Sequence, residues 1–260
     1  MRVRISIADL LISSFLFIFV VSFPLNYFAG YLPEYGILLL ELCLRMFLCG
    51  YYIRLIVKYN LPAFIKPNWK NLLFCLPFLL ACCSNEISFL FSTRVDMTHT
   101  LGVEFIIDFF IVVFTAFNEE ILFRFFIHNQ LNIQNKLVKI VASAGIFAGF
   151  HLLNLVSPSF LAIYQSVLLQ SVYTFGLGLI LGFIYEYGKS ITPCIIYHFL
   201  FNFFNSYVLN YFFFPVYEYY YIYIIVALVI SIVLIGYGLL IYFLVFKKKD
   251  REYDYYSPYN

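Results

Sequence analysis

The sequence predicts an all-α membrane protein, a polytopic bundle of about eight transmembrane helices with both termini in the cytoplasm. Of its 260 residues, 63% are hydrophobic and only 12% are charged. A soluble domain is about 45–50% apolar and about 25% charged, because its surface must be covered with polar groups. The composition therefore excludes a soluble enzyme, a secreted disulfide scaffold and a disordered chain. The net charge of +2 gives no field that would attract nucleic acid.

Eight apolar stretches divide the chain, and each is long enough to cross a bilayer. At 1.5 Å per residue, a helix of about 20 residues spans a hydrocarbon core of about 30 Å. Backbone groups in lipid need internal partners, so these stretches are predicted to be helices. The predicted spans are 10–29, 35–57, 71–91, 101–127, 137–156, 160–186, 191–213 and 219–246. Together they form one transmembrane domain over 1–260, with a predicted catalytic core in 101–210.

The positions of the cations predict which side of the membrane each connection occupies. With the N-terminus placed in the cytoplasm, thirteen of the sixteen Lys and Arg residues fall on the inner side. Arg94 is the single cation on the outer side, and Arg45 and Arg124 lie within spans. Because Lys and Arg are enriched in cytoplasmic loops, this alternation supports both the count of spans and their orientation.

Three spans carry polar residues that a bilayer makes expensive. A charge at the centre of a span costs about 2.5–3.5 kcal/mol on insertion scales, so such residues usually face a bundle interior or water. In chain order they are Asn118, Glu119, Glu120 and Arg124 in the fourth span, His151 in the fifth, and His198 and Asn202 in the seventh. A carboxylate, two imidazoles and a carboxamide supply a general base and hydrogen-bond donors. The sequence therefore predicts one polar site in the bundle core.

Helical spacing sorts these groups into pairs. Glu120 and Arg124 are four residues apart and are predicted to form an ion pair. Glu119 is rotated away from that pair and is free to point elsewhere. His198 and Asn202 are also four residues apart, so both project from one face of their helix.

Each feature also has a purely structural interpretation. A buried ion pair can simply fix helix packing, and a lone membrane histidine often forms an interhelical hydrogen bond. Glu41 and Arg45 have the spacing of Glu120 and Arg124, and we expect them to be structural. His128, at the inner end of the fourth span, is predicted to lie at the surface. The conjunction of polar groups on three spans is what favours a functional site.

Three short patterns in this region resemble a known family. In order and approximate spacing they match the motifs of the CPBP intramembrane proteases, and they are Glu119-Glu120-xxx-Arg124, Phe147-xxx-His151 and His198-xxx-Asn202. That family includes CAAX prenyl endopeptidases of the Rce1 type and bacterial Abi-type relatives linked to bacteriocin self-immunity and peptide processing. One departure is Phe125, which follows the arginine where family members often have glycine.

The resemblance implies an intramembrane endopeptidase that uses water as its nucleophile. By it, Glu119 and His151 hold and activate a water molecule that attacks the scissile carbonyl. His198 and Asn202 then stabilise the oxyanion. The implied substrate is a peptide or protein segment near the inner membrane surface, and the lipid bilayer is the other partner.

The same resemblance gives the remaining polar residues a supporting role and leaves the metal question open. Glu120 and Arg124 would hold the fourth helix in register. No HExxH zinc helix occurs in the chain. A metal-free, glutamate-activated water is the expectation; if zinc is bound, its ligands would be Glu119, His151 and His198.

Depth in the membrane is the difficulty for this prediction. Measured from their inner ends, Glu119 and His198 lie about 8–13 Å into the membrane, whereas His151 lies about 18 Å beyond Lys139. Helix tilt, side-chain reach or a break near Gly145 and Gly149 would have to close the difference. If the groups converge, the site is predicted to open toward the cytoplasm.

Two other classes of function remain. A proton- or ion-coupled transporter would use a polar lane on one side of the fourth span, formed by Glu104, Asp108, Thr115 and Glu119. A non-catalytic immunity protein that binds a peptide would need no reactive group at all. Loss of cleavage on substitution of Glu119 or His151 separates a protease from both.

Overall fold

The computed structural model describes residues 5–22, 31–64, 102–156 and 164–204, together with short pieces between 228 and 246. Within these residues every regular element is a helix and no strand occurs. The all-α prediction is thereby confirmed for the described part of the chain. The third predicted span (71–91) lies outside it, as do 23–29 of the first, 160–163 of the sixth, 205–213 of the seventh and about half of the eighth.

Six helices make up most of the described structure. They are α1 (Ile7–Ser22), α2 (Glu34–Lys58), α3 (Val103–Glu120), α4 (Lys136–His151), α5 (Tyr164–Gly188) and α6 (Thr192–Asn202). A π-helix (Ile121–Ile127) and a short turn (His128–Gln130) continue α3, a 3₁₀ turn (Leu152–Val156) follows α4, and a second π-helix covers Tyr242–Phe246. Each of the six begins within a few residues of a predicted span.

Three of the described helical stretches are long and apolar enough to cross a membrane. They are Tyr35–Lys58, Lys136–Leu155 and Val167–Gly188, which correspond to the second, fifth and sixth predicted spans. Shorter apolar helices, Ile7–Val21 and Ile235–Leu244, fall within the first and eighth. The protein is therefore a membrane protein by helix length and composition, while the total of eight spans and the cytoplasmic termini stay predictions.

Close packing of α4 on α5 depends on two glycines of α5. A Cβ atom at Gly182 would lie 2.8 Å from Cγ2 of Ile140, and one at Gly178 would lie 3.0 Å from Cα of Ala144. Small residues four apart allow helix backbones to approach closely in membranes, where van der Waals packing drives association. This contact sets the position of α4 and hence of the residues at its far end.

Polar contacts attach α2 to α1 and α3. The amide Nδ2 of Asn118 donates to the backbone oxygen of Arg45 at 2.9 Å, and the hydroxyl of Tyr52 donates to the backbone oxygen of Ser13 at 3.3 Å. The predicted pair of Glu41 and Arg45 forms, with Nε of Arg45 donating to Oε1 of Glu41 at 3.0 Å. Both side chains of that pair are partly buried, and its purely structural role stays a prediction.

The prediction that His128 lies at the surface is wrong. The turn after the π-helix brings its side chain under α5, where it is fully buried and its Nε2 lies 2.9 Å from Oε2 of Glu186. Lys189 and Lys139 also approach Glu186, at 2.8 Å and 3.7 Å respectively. Burial lowers the pKa of the His128 imidazole because desolvation disfavours its charged form. Position in the sequence could not reveal this partner, which lies on another helix.

Candidate active site

The carboxylates and the arginine of the fourth span lie where α3 changes its geometry. Glu119 and Glu120 end the α-helix, and the π-helix starts at Ile121. All residues of the π-helix are buried. A π-helical segment inside an α-helix is rare and is frequently found at functional sites, and no signal in the sequence predicted it.

The predicted ion pair of Glu120 and Arg124 is confirmed. Oε1 of Glu120 lies 3.1 Å from Nη1 of Arg124, and the two side chains are 0% and 1% exposed. A pair taken so completely out of water must be well compensated to be stable, because each ion loses its hydration. Further partners of the pair are therefore expected nearby.

His198 of α6 is the first of those partners. Its Nδ1 lies 2.7 Å from the same Oε1 of Glu120, and its Nε2 lies 3.5 Å from Oε2 of Glu119. Because an ionised carboxylate only accepts hydrogen bonds, the short contact assigns a proton to Nδ1 and turns Nε2 toward Glu119. The two neighbouring carboxylates thus face the two nitrogens of one imidazole. Helical spacing alone missed the contact of Glu120 with His198, since 78 residues separate them.

Several buried atoms at this site have no hydrogen-bond partner among the described residues. They include Oε2 of Glu119, Oε2 of Glu120, and Nη1 and Nη2 of Arg124. Most buried polar groups in proteins are hydrogen-bonded, so such exceptions need an explanation. Oε2 of Glu119 lies 3.5 Å from Nε2 of His198, a separation too long for a strong direct hydrogen bond. An oxygen and a nitrogen in this arrangement can both contact one small polar molecule.

The side chain of His151 turns back along α4. Its Nδ1 lies 3.0 Å from the backbone oxygen of Phe147, and α4 runs unbroken through Gly145 and Gly149. The rings of His151 and His198 both contact the ring of Phe147, with centroid separations of 4.8 Å and 5.8 Å, so α4 and α6 bring the two imidazoles to one aromatic ring.

The ring of Phe147 lies among the charged and imidazole groups. Its centroid is 4.1 Å from the guanidinium carbon of Arg124, 4.8 Å from the His151 ring and 5.8 Å from the His198 ring. The sequence placed Phe147 in a motif without giving it a role. Membership of that motif was the signal that the sequence offered for Phe147.

Asn202 is the last residue of α6, one helical turn beyond His198 on the same face. Its side chain is half-buried. The position is compatible with the predicted role beside His198, which stays a prediction.

The structure also bears on the two remaining sequence hypotheses. No three His, Cys, Asp or Glu side chains within the described residues are grouped so that they could hold a metal ion. The zinc set of Glu119, His151 and His198 is thus not found as a group there, and both metal independence and the zinc alternative stay predictions. On the possible transport lane, the hydroxyl of Thr115 donates to the backbone oxygen of Ile111 at 2.6 Å, so it is satisfied within its own helix.

Comparison with known families identifies the segment that contains the site. Residues 102–204 match the family model described as Type II CAAX prenyl endopeptidase Rce1-like. All of the residues that carried the sequence resemblance lie within this match. Comparisons with curated proteins and with solved structures gave no match.

Proposed function

From the premise that residues 102–204 belong to the Rce1-like family of CAAX prenyl endopeptidases, we propose that this membrane protein is an intramembrane endopeptidase. The observation that carries the proposal is the arrangement of Glu119, Glu120 and His198. A buried carboxylate oxygen without a hydrogen-bond partner among the described residues lies 3.5 Å from an imidazole nitrogen whose ring is held by a second carboxylate.

The proposed reaction is hydrolysis of a peptide bond by water. Glu119, with His151 opposite, holds a water molecule and takes a proton from it as the oxygen attacks the carbonyl carbon. The carbonyl oxygen becomes an oxyanion, to which His198 and Asn202 donate hydrogen bonds. When the C–N bond breaks, protonated Glu119 returns the proton to the leaving amine. Water supplies the hydroxyl of one product and the hydrogen of the other.

Glu120 and Arg124 support this chemistry through His198. Oε1 of Glu120 accepts from Nδ1 of His198 and pairs with Nη1 of Arg124. A carboxylate in this position fixes the tautomer and orientation of an imidazole and stabilises its protonated form. Protonated His198 would carry a hydrogen on Nε2 as well, which is the donor that an oxyanion requires. The sequence assigned these two residues only to helix register.

The substrate class is a peptide or protein segment next to the inner membrane surface. Glu119 precedes the charged cluster around His128 by nine residues, or about 13 Å of helix. The site therefore lies near the C-terminal end of α3. The positive-inside pattern of the sequence makes that end cytoplasmic. Prenylated peptides, bacteriocin leaders and signalling peptides all fit this description, and a role in self-immunity would follow from cleavage of a bacteriocin.

The test is direct cleavage by the purified full-length protein in lipid nanodiscs. Candidate membrane peptides, prenylated and unprenylated, are incubated with it and the fragments are identified by mass spectrometry. We expect Glu119→Gln and His151→Ala to reduce cleavage about 10²–10⁴-fold, the usual contribution of a general base. Asp108→Asn, a neutralised acid on the same helix, should cleave normally, and EDTA should leave the rate unchanged.

Two results would count against the proposal. If Glu119→Gln cleaves as fast as the unchanged protein, the activity does not come from this site. If Asp108→Asn abolishes a proton-driven uptake activity as completely as Glu119→Gln, the polar lane of α3 acts in transport instead.

A further inference from the structure

Phe147 lies at the meeting point of the three helices that carry the site. We propose that Phe147 is a positioning residue, whose ring face holds the Arg124 guanidinium and thereby fixes Glu120 and His198. The inference deepens the proposed function and rests on it for its catalytic consequence. Its structural part can be tested without any substrate.

Arg124 needs a partner that Glu120 alone does not supply. The guanidinium is buried, and neither Nη1 nor Nη2 has a well-formed hydrogen bond among the described residues. It has its ion pair with Glu120 and lies over the Phe147 ring at 4.1 Å from the centroid. A cation above an aromatic face is attracted by the ring quadrupole, and the attraction is greatest where water is excluded. The ring therefore compensates part of the lost hydration of Arg124.

The effect of the ring reaches His198 through a single oxygen atom. Oε1 of Glu120 lies 3.1 Å from Nη1 of Arg124 and 2.7 Å from Nδ1 of His198. If Arg124 shifts, the shared oxygen either moves with it or changes its distances to Arg124 and His198. The orientation and tautomer of His198 therefore depend on a ring that does not take part in the reaction.

The ring itself is also held by its neighbours on α5, α4 and α6. A Cβ atom at Gly178 of α5 would lie 3.3 Å from Cδ1 of Phe147, so α5 packs directly behind it. The rings of His151 and His198 meet Phe147 at interplanar angles of 83° and 86°, the edge-to-face geometry that aromatic groups favour. Phe147 thus has little freedom to move, as a positioning residue requires.

The experiment compares Phe147→Leu with Phe126→Leu. Both phenylalanines are fully buried, so both variants lose the same side-chain volume, but Phe126 contacts the Tyr52 ring rather than Arg124. Nitrogen-15 spectra of histidine-labelled protein in micelles, assigned with single histidine variants, report the tautomer of His198. We expect Phe147→Leu to shift the His198 signals toward a mixture of tautomers and Phe126→Leu to leave them unchanged.

Cleavage kinetics give the second readout. We expect Phe147→Leu to lower kcat by about 2- to 30-fold, the range of a cation–π contact, with KM unchanged. Phe147→Tyr keeps the ring face and should retain kcat, while Phe126→Leu should lower thermal stability without lowering kcat. If Phe147→Leu does not fold, Phe147→Met replaces it, because methionine fills irregular space without an aromatic face.

Each outcome decides the proposal. Unchanged His198 signals in the Phe147 variant, or equal changes in the Phe126 variant, would overturn it. An equal loss of kcat in Phe147→Tyr would also overturn the proposal, because tyrosine keeps the aromatic ring face that contacts Arg124. If the unchanged protein cleaves no peptide, the proposed function fails, and the tautomer spectra still decide whether Phe147 positions His198.

Discussion

Two ion pairs with identical spacing occupy very different places in this molecule. Glu41 with Arg45 lies on α2, with side chains 23% and 15% exposed. Glu120 with Arg124 lies at the start of the π-helix, with side chains 0% and 1% exposed. The backbone of Arg45 in the first pair accepts from Asn118, whereas the side chains of the second pair are shared with His198 and Phe147. Equal spacing therefore predicted equal pairing, and tertiary contacts decided which pair joins a site.

The largest effect should follow from removing the acid of each pair. Glu120→Gln leaves Arg124 buried without a counter-charge, and we expect it to lower the free energy of unfolding by about 3–5 kcal/mol. Glu41→Gln, the matched change in the less buried pair, should cost less than Glu120→Gln, because the Glu120 carboxylate also holds His198. Unfolding in mixed detergent micelles measures both. Similar losses in the two variants would abolish the distinction between the pairs.

The next largest effect should be a loss of catalytic rate, which also separates the site from the pair of Glu41 and Arg45. Asn202→Ala removes one proposed oxyanion donor on the face of His198, and we expect kcat to fall about 10²–10³-fold. The less buried pair offers the control, because Arg45→Gln removes a charge while leaving the backbone oxygen that accepts from Asn118, and it should cleave normally. Steady-state cleavage of one peptide measures the two rates. A normal rate in Asn202→Ala would remove Asn202 from the site.

Helix packing should give a smaller effect. Gly182→Ala places a Cβ atom 2.8 Å from Ile140, and we expect this overpacking to cost about 1–3 kcal/mol of unfolding free energy. Gly145→Ala on α4 meets nothing within 4 Å, so it should be neutral or stabilise the helix by up to about 1 kcal/mol. Thermal unfolding in micelles compares the two. If both variants behave alike, the close approach of α4 and α5 does not hold His151 in place.

The smallest effect concerns the buried cluster at the inner ends of the helices. Desolvation lowers the pKa of His128 below its ordinary value of 6.5. The unfolded chain therefore binds more protons below that pH, and the stability should fall as the solution is acidified. The His128→Gln variant lacks this imidazole, so this part of the loss of stability should disappear. Between pH 7.5 and pH 5.5, about one unit on either side of an unperturbed histidine pKa, the melting temperature of the variant should therefore change less than that of the unchanged protein. An identical change in both proteins would contradict the predicted titration.

Much of the site could be recognised from the amino-acid sequence. Glu119, His151 and His198 were selected because polar groups in apolar spans are costly. Glu119 lies 3.5 Å from His198, and the His151 and His198 rings both contact Phe147, while the joint role of the three stays a prediction. The contact between Glu120 and His198, the burial of His128 and the role of Phe147 could not be recognised in this way. Each depends on a neighbour from another helix, and periodicity describes only one helix at a time. The change from α- to π-helix after Glu120 has no established sequence signal at all.

The amino-acid sequence by itself determined the class of this protein. Its apolar stretches require helices, because lipid offers no partner to an exposed backbone, and its few intramembrane charges mark where chemistry is possible. Only the tertiary structure decided how those charges are paired. Oε1 of Glu120 contacts both Arg124 and His198, and the rings of His151 and His198 meet at Phe147. These contacts depend on the spacing between helices. Close packing at Gly178 and Gly182 sets that spacing for α4 and α5, and the sequence of one helix alone does not determine it.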